Sequence, residues 1–552
     1  MANGPPRRAV VRLRLFPPLP APLARLFSAL VVLAWVLQMG VLVRRAFSAT
    51  PLALAADLAS YTGAAQWRGI YYRGGKIGFS VGQTTPTADG YEIREDSRLS
   101  MTLVGATTAV RMTSRAFVDR AFALKRFSFS LDPGSGPTTI EGTLDGRRLA
   151  LVVKNTAGER SETRELPEPP ALSLNLPRTL AARGLEPGKT LQVAVFDPLT
   201  LRNELMTVEV QAREVVRAAG RPVPAFRVES RFAGVTTRSW ITDTGEELKE
   251  ESPMGMLVVR ETPEQAQMLA VPGSVQSDLL EASAIVPTHP QRIDDPLTVT
   301  RLRVRIDGLA GLDAADLQGG GQAESDGTIE VRDSKGLAAA PAPSGLDAYL
   351  RAETFLESDA PEIQAEARKA AAGADAPRLR AERLTRYVHS IVEKRPTVSL
   401  PSALEVLKTR VGDCNEHTAL YVAMARSLGL PSRIAVGLVY LRGAFYYHAW
   451  PEVFVADAPG RGLWLPVDPT LNQFPADATH VRLARGGLDK QAAIVGLIGR
   501  AKLDILSVEL RPGSVPVLVG SDAADLAPLD LPLPRREPSA RGCWSQPPRR
   551  SP

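Results

Sequence analysis

From Trp67 to about Arg260 the apolar residues come in short, loosely alternating runs, each closed by a glycine- or aspartate-bearing turn. A period of two sends successive side chains to opposite faces, as in a strand half covered by a core. Tyr71-Tyr72-Arg73-Gly74-Gly75-Lys76-Ile77-Gly78-Phe79 reads as two strands around a Gly-Gly turn. Thr107 to Val118 and Ala121 to Leu131 alternate until Asp132-Pro133-Gly134 breaks the run. Further runs stop at Gly142, Asp145-Gly146 and Gly220, and Thr236 to Ile241 meets Asp243-Thr244-Gly245. Many short strands with turn signals predict a mainly antiparallel all-β domain over 60–265, a sandwich or open barrel. No catalytic grouping stands out in it, so packing or edge binding of a partner is its expected role.

The 552 residues are too many for one core, and the rest of the chain changes character. Residues 261–290 read as a connector. A small β unit over 290–335 contains the alternation Leu302-Arg303-Val304-Arg305-Ile306 and the turn Gly319-Gly320-Gly321. Ala338 to Gly345 (AAAPAPSG) is a linker, and helical spacing begins beyond it, with Leu384, Tyr387, Val388 and Ile391 on one face before Pro396. A second helix is expected from about Asn415 to Leu428, closed by Gly429 and Pro431. Strands follow at Arg433 to Leu441, Phe445 to Val455 and Leu463 to Val467. Residues 345–510 thus form an α+β core, and the Pro-rich tail 521–552 is expected to be disordered.

The net charge of +6 does not mark a nucleic-acid binder, because of where it sits. Residues 1–45 hold seven arginines and no acid, which more than accounts for the excess. Within that stretch Leu26 to Val43 is an uncharged run of 18 residues. At about 1.5 Å per residue it is just long enough to cross a bilayer core. Five arginines before it and Arg44-Arg45 after it favour an anchor behind a basic cytoplasmic tail (1–25) over a signal peptide cut near Ala53-Leu54-Ala55. The expected placement is a single pass through the inner membrane, with the body periplasmic. The two cysteines, Cys414 and Cys543, do not make a disulfide framework, and Cys543 reads as an exposed tail thiol.

Cys414 lies in Gly412-Asp413-Cys414-Asn415-Glu416-His417, where a loop enters a helix. A helix N-terminus lowers a thiol pKa and offers free N–H groups to an oxyanion. A cysteine nucleophile needs a base held in one tautomer. His448 lies on a strand after the Cys helix, and the turn Ala456 to Gly462 returns the chain to Asp468. If the reversal centres near Pro459, His448 and Asp468 share parity on adjacent strands about two residues out of register, so both can point to one face. His417 is the competing base, without a downstream acid to orient it. Asp413 reads as a helix cap and Glu416 as a favourable charge at the helix start. His480 is expected to shape the cleft or pack, and Phe445, Tyr446 and Trp450 to wall the base. His289 and His389 have no acidic partner in the pattern. No zinc-ligand spacing, phosphate loop or dinucleotide fingerprint appears, so no cofactor or metal is expected.

Pro401 to Leu407 (PSALEVL), GDCNEHTALYVAMARSLGLPSRIAVGLVY (412–440), YHAWPEVFV (447–455) and WLPVDPTLNQFPADATH (464–480) together resemble the bacterial transglutaminase-like family. The resemblance covers about residues 345–510. Position by position, the family's catalytic Cys, His and Asp fall on Cys414, His448 and Asp468. It implies a core with papain-like site geometry and a thiol acyl-transfer enzyme acting on peptide or related amide bonds. Hydrolysis is favoured, and the alternatives are a protein cross-linking transamidase and a non-catalytic envelope peptide-binding protein. The calcium dependence of animal cross-linkers finds no acidic loop here. The expected partner is a protein or peptide substrate, an envelope component among the candidates.

Overall fold

Arg73 and Gly74 both take positive φ, 46° and 85°, and so make a two-residue turn between β1 (Gln66–Tyr72) and β2 (Gly75–Pro86). Both positions positive is the arrangement whose twist matches a tight hairpin. In the computed structural model this turn belongs to a 14-stranded antiparallel sheet. The structure describes residue 61 and residues 65–512, except 104–105, 233, 254, 269–283, 289–291, 310–311, 488–489, 491–493 and 495–500.

The sheet is two meanders joined in the middle. From β1 the strands run outward in chain order to β8 (Gly158–Glu165) on one side. On the other side β14 (Met256–Glu261) pairs with β1, and the strands run back to β9 (Thr190–Asp197). The central join is set by the register Trp67↔Glu261 to Tyr72↔Met256. The two larger apolar clusters of this sheet lie around Phe127, Ile140 and Leu151 and around Val195, Val208 and Val228.

Two smaller sheets follow. β15 (Val299–Ile306), β16 (Gln322–Ser325), β17 (Thr328–Arg332) and the late strand β25 (Leu503–Leu510) form one, in the order β16-β17-β15-β25. The other is five-stranded: β18 (Ala340–Pro341), β23 (Arg461–Pro466), β22 (Ala444–Ala458), β21 (Ser432–Leu441) and β24 (His480–Arg485), in that order. Val304, Ile329, Leu438, Phe445 and Val481 form a core shared by these two sheets. A second core joins Val453, Val455 and Leu465 to the helices Pro361–Ala370, Pro377–Ile391, Ala403–Thr409 and Cys414–Ser427. A short parallel pair, β19 (Glu393–Lys394) with β20 (Val411–Gly412), leads directly into the last of these helices.

The described residues are mostly β, 50% strand against 17% helix, which corrects the expected α+β class. Strand runs were read as short, yet β10 (Arg202–Ala218) alone spans 17 residues. The expected transmembrane helix, Leu26 to Val43, lies outside the described residues, as do His289, Cys543 and the tail 521–552. Among the described residues no helix is long and apolar enough to cross a membrane. The single-pass inner-membrane placement with a periplasmic body therefore has no support in the structure and is set aside.

Candidate active site

The helix carrying Cys414 starts where its sequence provides a cap. Asp413 accepts from the Asn415 N–H at 2.9 Å, and Glu416 reaches back to accept from the Asp413 N–H at 2.8 Å, closing a capping box. Gly412 is required for this closeness, since a Cβ there would lie 2.2 Å from Cβ of Glu416. From Glu416 to Arg426 every residue of the helix is buried, as expected of a helix enclosed on all sides. Only its first turn approaches the surface, and Cys414 is half-buried there as a free thiol.

β23 pairs with β22 from Glu452 onward, and the Val467 N–H still reaches the Pro451 carbonyl at 3.0 Å, so the β22 backbone is open on that side only before Pro451. The helix fills the opening. The Ala449 N–H donates to the Cys414 thiol, and Thr418 Oγ1 donates to the Ala449 carbonyl at 3.1 Å. Cys414 is thereby held against the residue that follows His448.

Nε2 of His448 donates to Oδ2 of Asp468 at 2.7 Å. The β22–β23 register, continued past Glu452, puts Asp468 two residues from the position opposite His448. Asp468 is fully buried and fixed from all sides. Its backbone exchanges hydrogen bonds with Gln473 at 2.9 and 2.8 Å, and its Oδ1 accepts from the Leu471 N–H at 2.9 Å. Burial alone would push this carboxyl up. The charge and hydrogen bond of His448, with His480 adding to them, hold it well below the usual carboxylate range.

The competing base, His417, is held differently. His417 is fully buried, with Nδ1 2.6 Å from the Asp413 carbonyl and Nε2 without a hydrogen-bond partner. Burial pushes it below the ordinary histidine value. Asp468 bonds His448 and His480, not His417. His389 packs from the side, its Nδ1 3.0 Å from the Pro469 carbonyl.

Three local expectations change. The thiol is not lowered: burial pushes Cys414 well above its ordinary value, Asp413, Glu416 and Asp468 add to this, and only the Ala449 N–H opposes it. The cap that forms the helix start thus places two carboxylates where bare N–H groups were expected. Phe445 and Trp450 are core residues rather than open walls, 0% and 1% exposed, with the Trp450 ring stacked 6.1 Å from that of His448. His480 does more than pack, since its Nε2 lies 3.1 Å from the Asp468 oxygen that His448 also uses. The sequence carried one signal for this, Asp477 three residues ahead of His480. The contact itself depends on β21, which pairs Gly437 with His448 on one side and Val439 with His480 on the other.

His448, Asp468 and His480 offer ligand atoms within 4.8 Å of one another, close enough to share an ion. Both Nε2 atoms, however, already converge on Asp468 Oδ2 at hydrogen-bond distances, and the second nitrogen of His480 faces Asp477. The group is accounted for as a proton-bonded network.

Residues 364–469 match the model of the transglutaminase-like superfamily, and residues 69–260 match that of a protein family of unknown function, DUF3108. The chain thus contains a transglutaminase-like domain at 364–469. An uncharacterised protein of Mycobacterium tuberculosis is 28% identical over 159 residues, covering 26% of this chain and 50% of that protein. An uncharacterised protein of Mycobacterium bovis matches with the same figures. The chain therefore spans about half the length of the curated relatives it matches. Among solved structures, the periplasmic domain of TgpA from Pseudomonas aeruginosa, bound to ethylmercury, is similar at 21% identity. That match covers 27% of this chain and 56% of that one, with a TM-score of 0.21. A beta-barrel-like protein of DUF1849 from Brucella abortus is similar at 15% identity over 36% of this chain and 96% of that one, with a TM-score of 0.28.

Proposed function

We propose that the chain is a thiol acyl-transfer enzyme that acts on peptide or related amide bonds through Cys414, His448 and Asp468. The observation that carries this reading is the His448–Asp468 hydrogen bond of 2.7 Å, set one residue from the Ala449 N–H that touches the thiol. Because Nε2–H is engaged by Asp468, Nδ1 is the nitrogen left to take a proton from sulfur. A thiol pushed up by burial and by neighbouring carboxylates needs that base, so Cys414 reacts as its proton moves to His448.

The sulfur then forms a bond to the amide carbonyl carbon, and the carbonyl oxygen takes up the displaced electron pair. Asp413 accepts the N–H groups of Asn415 and Glu416, so the Cys414 N–H is the helix-start donor best placed for that oxyanion. As the C–N bond breaks, His448 returns its proton to the leaving amine and a thioester remains on Cys414. Water, deprotonated by His448, releases the acid and restores the thiol. An amine in place of water would give transamidation. Hydrolysis is the favoured outcome because water is always at hand as acceptor.

The test is to incubate the full chain with a peptide library and a labelled primary amine, and to analyse the products by mass spectrometry. Cleaved or deamidated peptides that disappear with Cys414→Ala support hydrolysis. Amine adducts as the main product would replace it with transamidation. No product of either kind, together with a Cys414 that resists alkylation, would overturn the enzymatic reading in favour of a peptide-binding protein.

A further inference from the structure

His480 takes no part in the steps above, yet it is 4% exposed and bonded at both ring nitrogens. Its Nε2 lies 3.1 Å from Oδ2 of Asp468, and its Nδ1 lies 3.2 Å from Oδ1 of Asp477. An ionised carboxylate only accepts, so a ring with one on each side carries a proton on both nitrogens and is a cation. Asp477 is itself anchored. Its Oδ1 accepts from the Thr479 N–H at 2.8 Å and the Thr479 hydroxyl at 2.6 Å, and its Oδ2 accepts from Gln473 Nε2 at 2.8 Å. Burial opposes the positive charge, but Asp477 and Asp468 outweigh it and push His480 up to about 10.

Other charges around the ring are few. The His448 ring centroid is 5.8 Å away, and Arg332, Glu452 and Arg482 line the same small cavity. Glu452 is taken up by Arg433, Arg482 and Arg485, and Arg332 by Glu330. The cation of His480 therefore acts mainly on Asp468, whose charge Lys394 and His417 also feel.

We propose that His480 is a positioning residue, an imidazolium clamped between Asp477 and Asp468 that fixes the Asp468 carboxylate for its hydrogen bond with His448. This rests on the reading of His448 as the base. A carboxylate turns about its own bond unless both oxygens are engaged. The Leu471 N–H holds Oδ1 of Asp468, and the His480 ring, anchored on its far side by Asp477, holds Oδ2 where His448 meets it. With Oδ2 so fixed, the His448 ring keeps its proton on Nε2 and presents Nδ1.

The test uses the full chain carrying Cys414→Ala and isotope-labelled histidine, with the imidazole resonances followed by NMR across pH. Only five histidines need assignment. In this background His480 should hold both ring protons through neutral pH. Adding His480→Ala, which leaves Oδ2 of Asp468 to His448 alone, should cost His448 its single Nε2–H tautomer, read from its two ring-nitrogen shifts, and His480→Gln, which keeps a donor, should restore that tautomer. Asp477→Asn, which frees the far side of the His480 ring, should mix the His448 tautomers to a smaller degree, and it decides the matter if His480→Ala does not fold. A His448 that keeps the Nε2–H tautomer in the folded His480→Ala and Asp477→Asn chains would overturn the proposal, and so would mixing that His480→Gln does not reverse, the result expected from lost packing alone. With no nucleophile present, this outcome does not depend on turnover; failure of the acyl-transfer reading would appear separately, as absence of product from the wild type.

Discussion

Ser399 and Leu400, neighbours in the chain, serve different parts of the molecule: Ser399 Oγ donates to Glu416 on the Cys414 helix at 2.5 Å, while Leu400 is buried in the apolar cluster of the 14-stranded sheet. The alternation extends backward. The Thr397 N–H reaches the Asp413 cap, and Val398 packs on the same cluster as Leu400. The segment before Cys414 is therefore a strap, with one edge in the β domain and the other on the cap of the Cys414 helix. Further ties run between Arg160 and Asp359 and between Thr156 and Glu405. Leu400→Ala should destabilise the full chain by about 2–5 kcal/mol in denaturant unfolding, as for a buried leucine. It should also slow alkylation of Cys414 under conditions where the chain stays folded. An unchanged alkylation rate in a destabilised variant would mean that the strap holds the domains together without setting the nucleophile.

The same strap shows where sequence reading stopped. Cys414, His448 and Asp468 could be singled out because each lies in a short block whose local structure is decided nearby: a capped helix start, a strand, and a strand end after a turn. The parity argument for His448 and Asp468 needed only the position of one reversal. His480 and Leu400 depend on pairings far apart in the chain, β24 on β21 and residue 400 on a sheet some 250 residues earlier, and nothing local records those. Phe445 and Trp450 were misplaced as walls because alternation tells which residues share a face, not what covers it. The thiol was misjudged for a different reason. The pattern offers bare N–H groups at the helix start, whereas the Asp413 and Glu416 carboxyls occupy it, and burial with Glu416 nearby pushes Asp413 itself well above the usual carboxylate range.

Glu452 should be essential for folding rather than for chemistry. It is fully buried and paired with Arg433 at 2.7 Å, Arg485 at 3.3 Å and Arg482. Arg482 in turn donates to the carbonyls of Asp316, Gln318 and Gly319, each at 2.8 Å, and so fastens the turn before β16 to the five-stranded sheet. Burial would push Glu452 up, but the three guanidinium groups bring it down to about 2. Its contribution is thus present above the ordinary glutamate range and is lost as pH falls from about 4.5 towards about 2. Glu452→Gln leaves buried arginines without their counterion and should cost about 3–5 kcal/mol. A loss below about 1 kcal/mol in denaturant unfolding would contradict this account of the network.

The β domain should respond to pH in the opposite sense. Burial, with Glu247 nearby, raises Glu250 to about 8, and Arg68 only partly compensates. The folded chain then holds a proton there that the unfolded chain has released, so this group makes stability fall as pH rises from about 4.5 through about 8. Glu250→Gln should flatten the decline in denaturation midpoint between pH 6 and 9. A slope identical to that of the wild type would show that Glu250 is ionised in the folded chain at neutral pH.

Activation of Cys414 by His448, held by Asp468, should show in the rate at which iodoacetamide modifies Cys414 near neutral pH, followed by peptide mass spectrometry so that Cys543 is counted separately. The full chain, His448→Ala and His417→Ala are compared after circular dichroism has confirmed that each is folded. His448→Ala should slow modification of Cys414 by at least about tenfold, the scale of a lost general base. His417→Ala should leave the rate within about twofold. Slowing by His417→Ala with no effect of His448→Ala would rule out His448 as the base and move that role to the Cys414 helix.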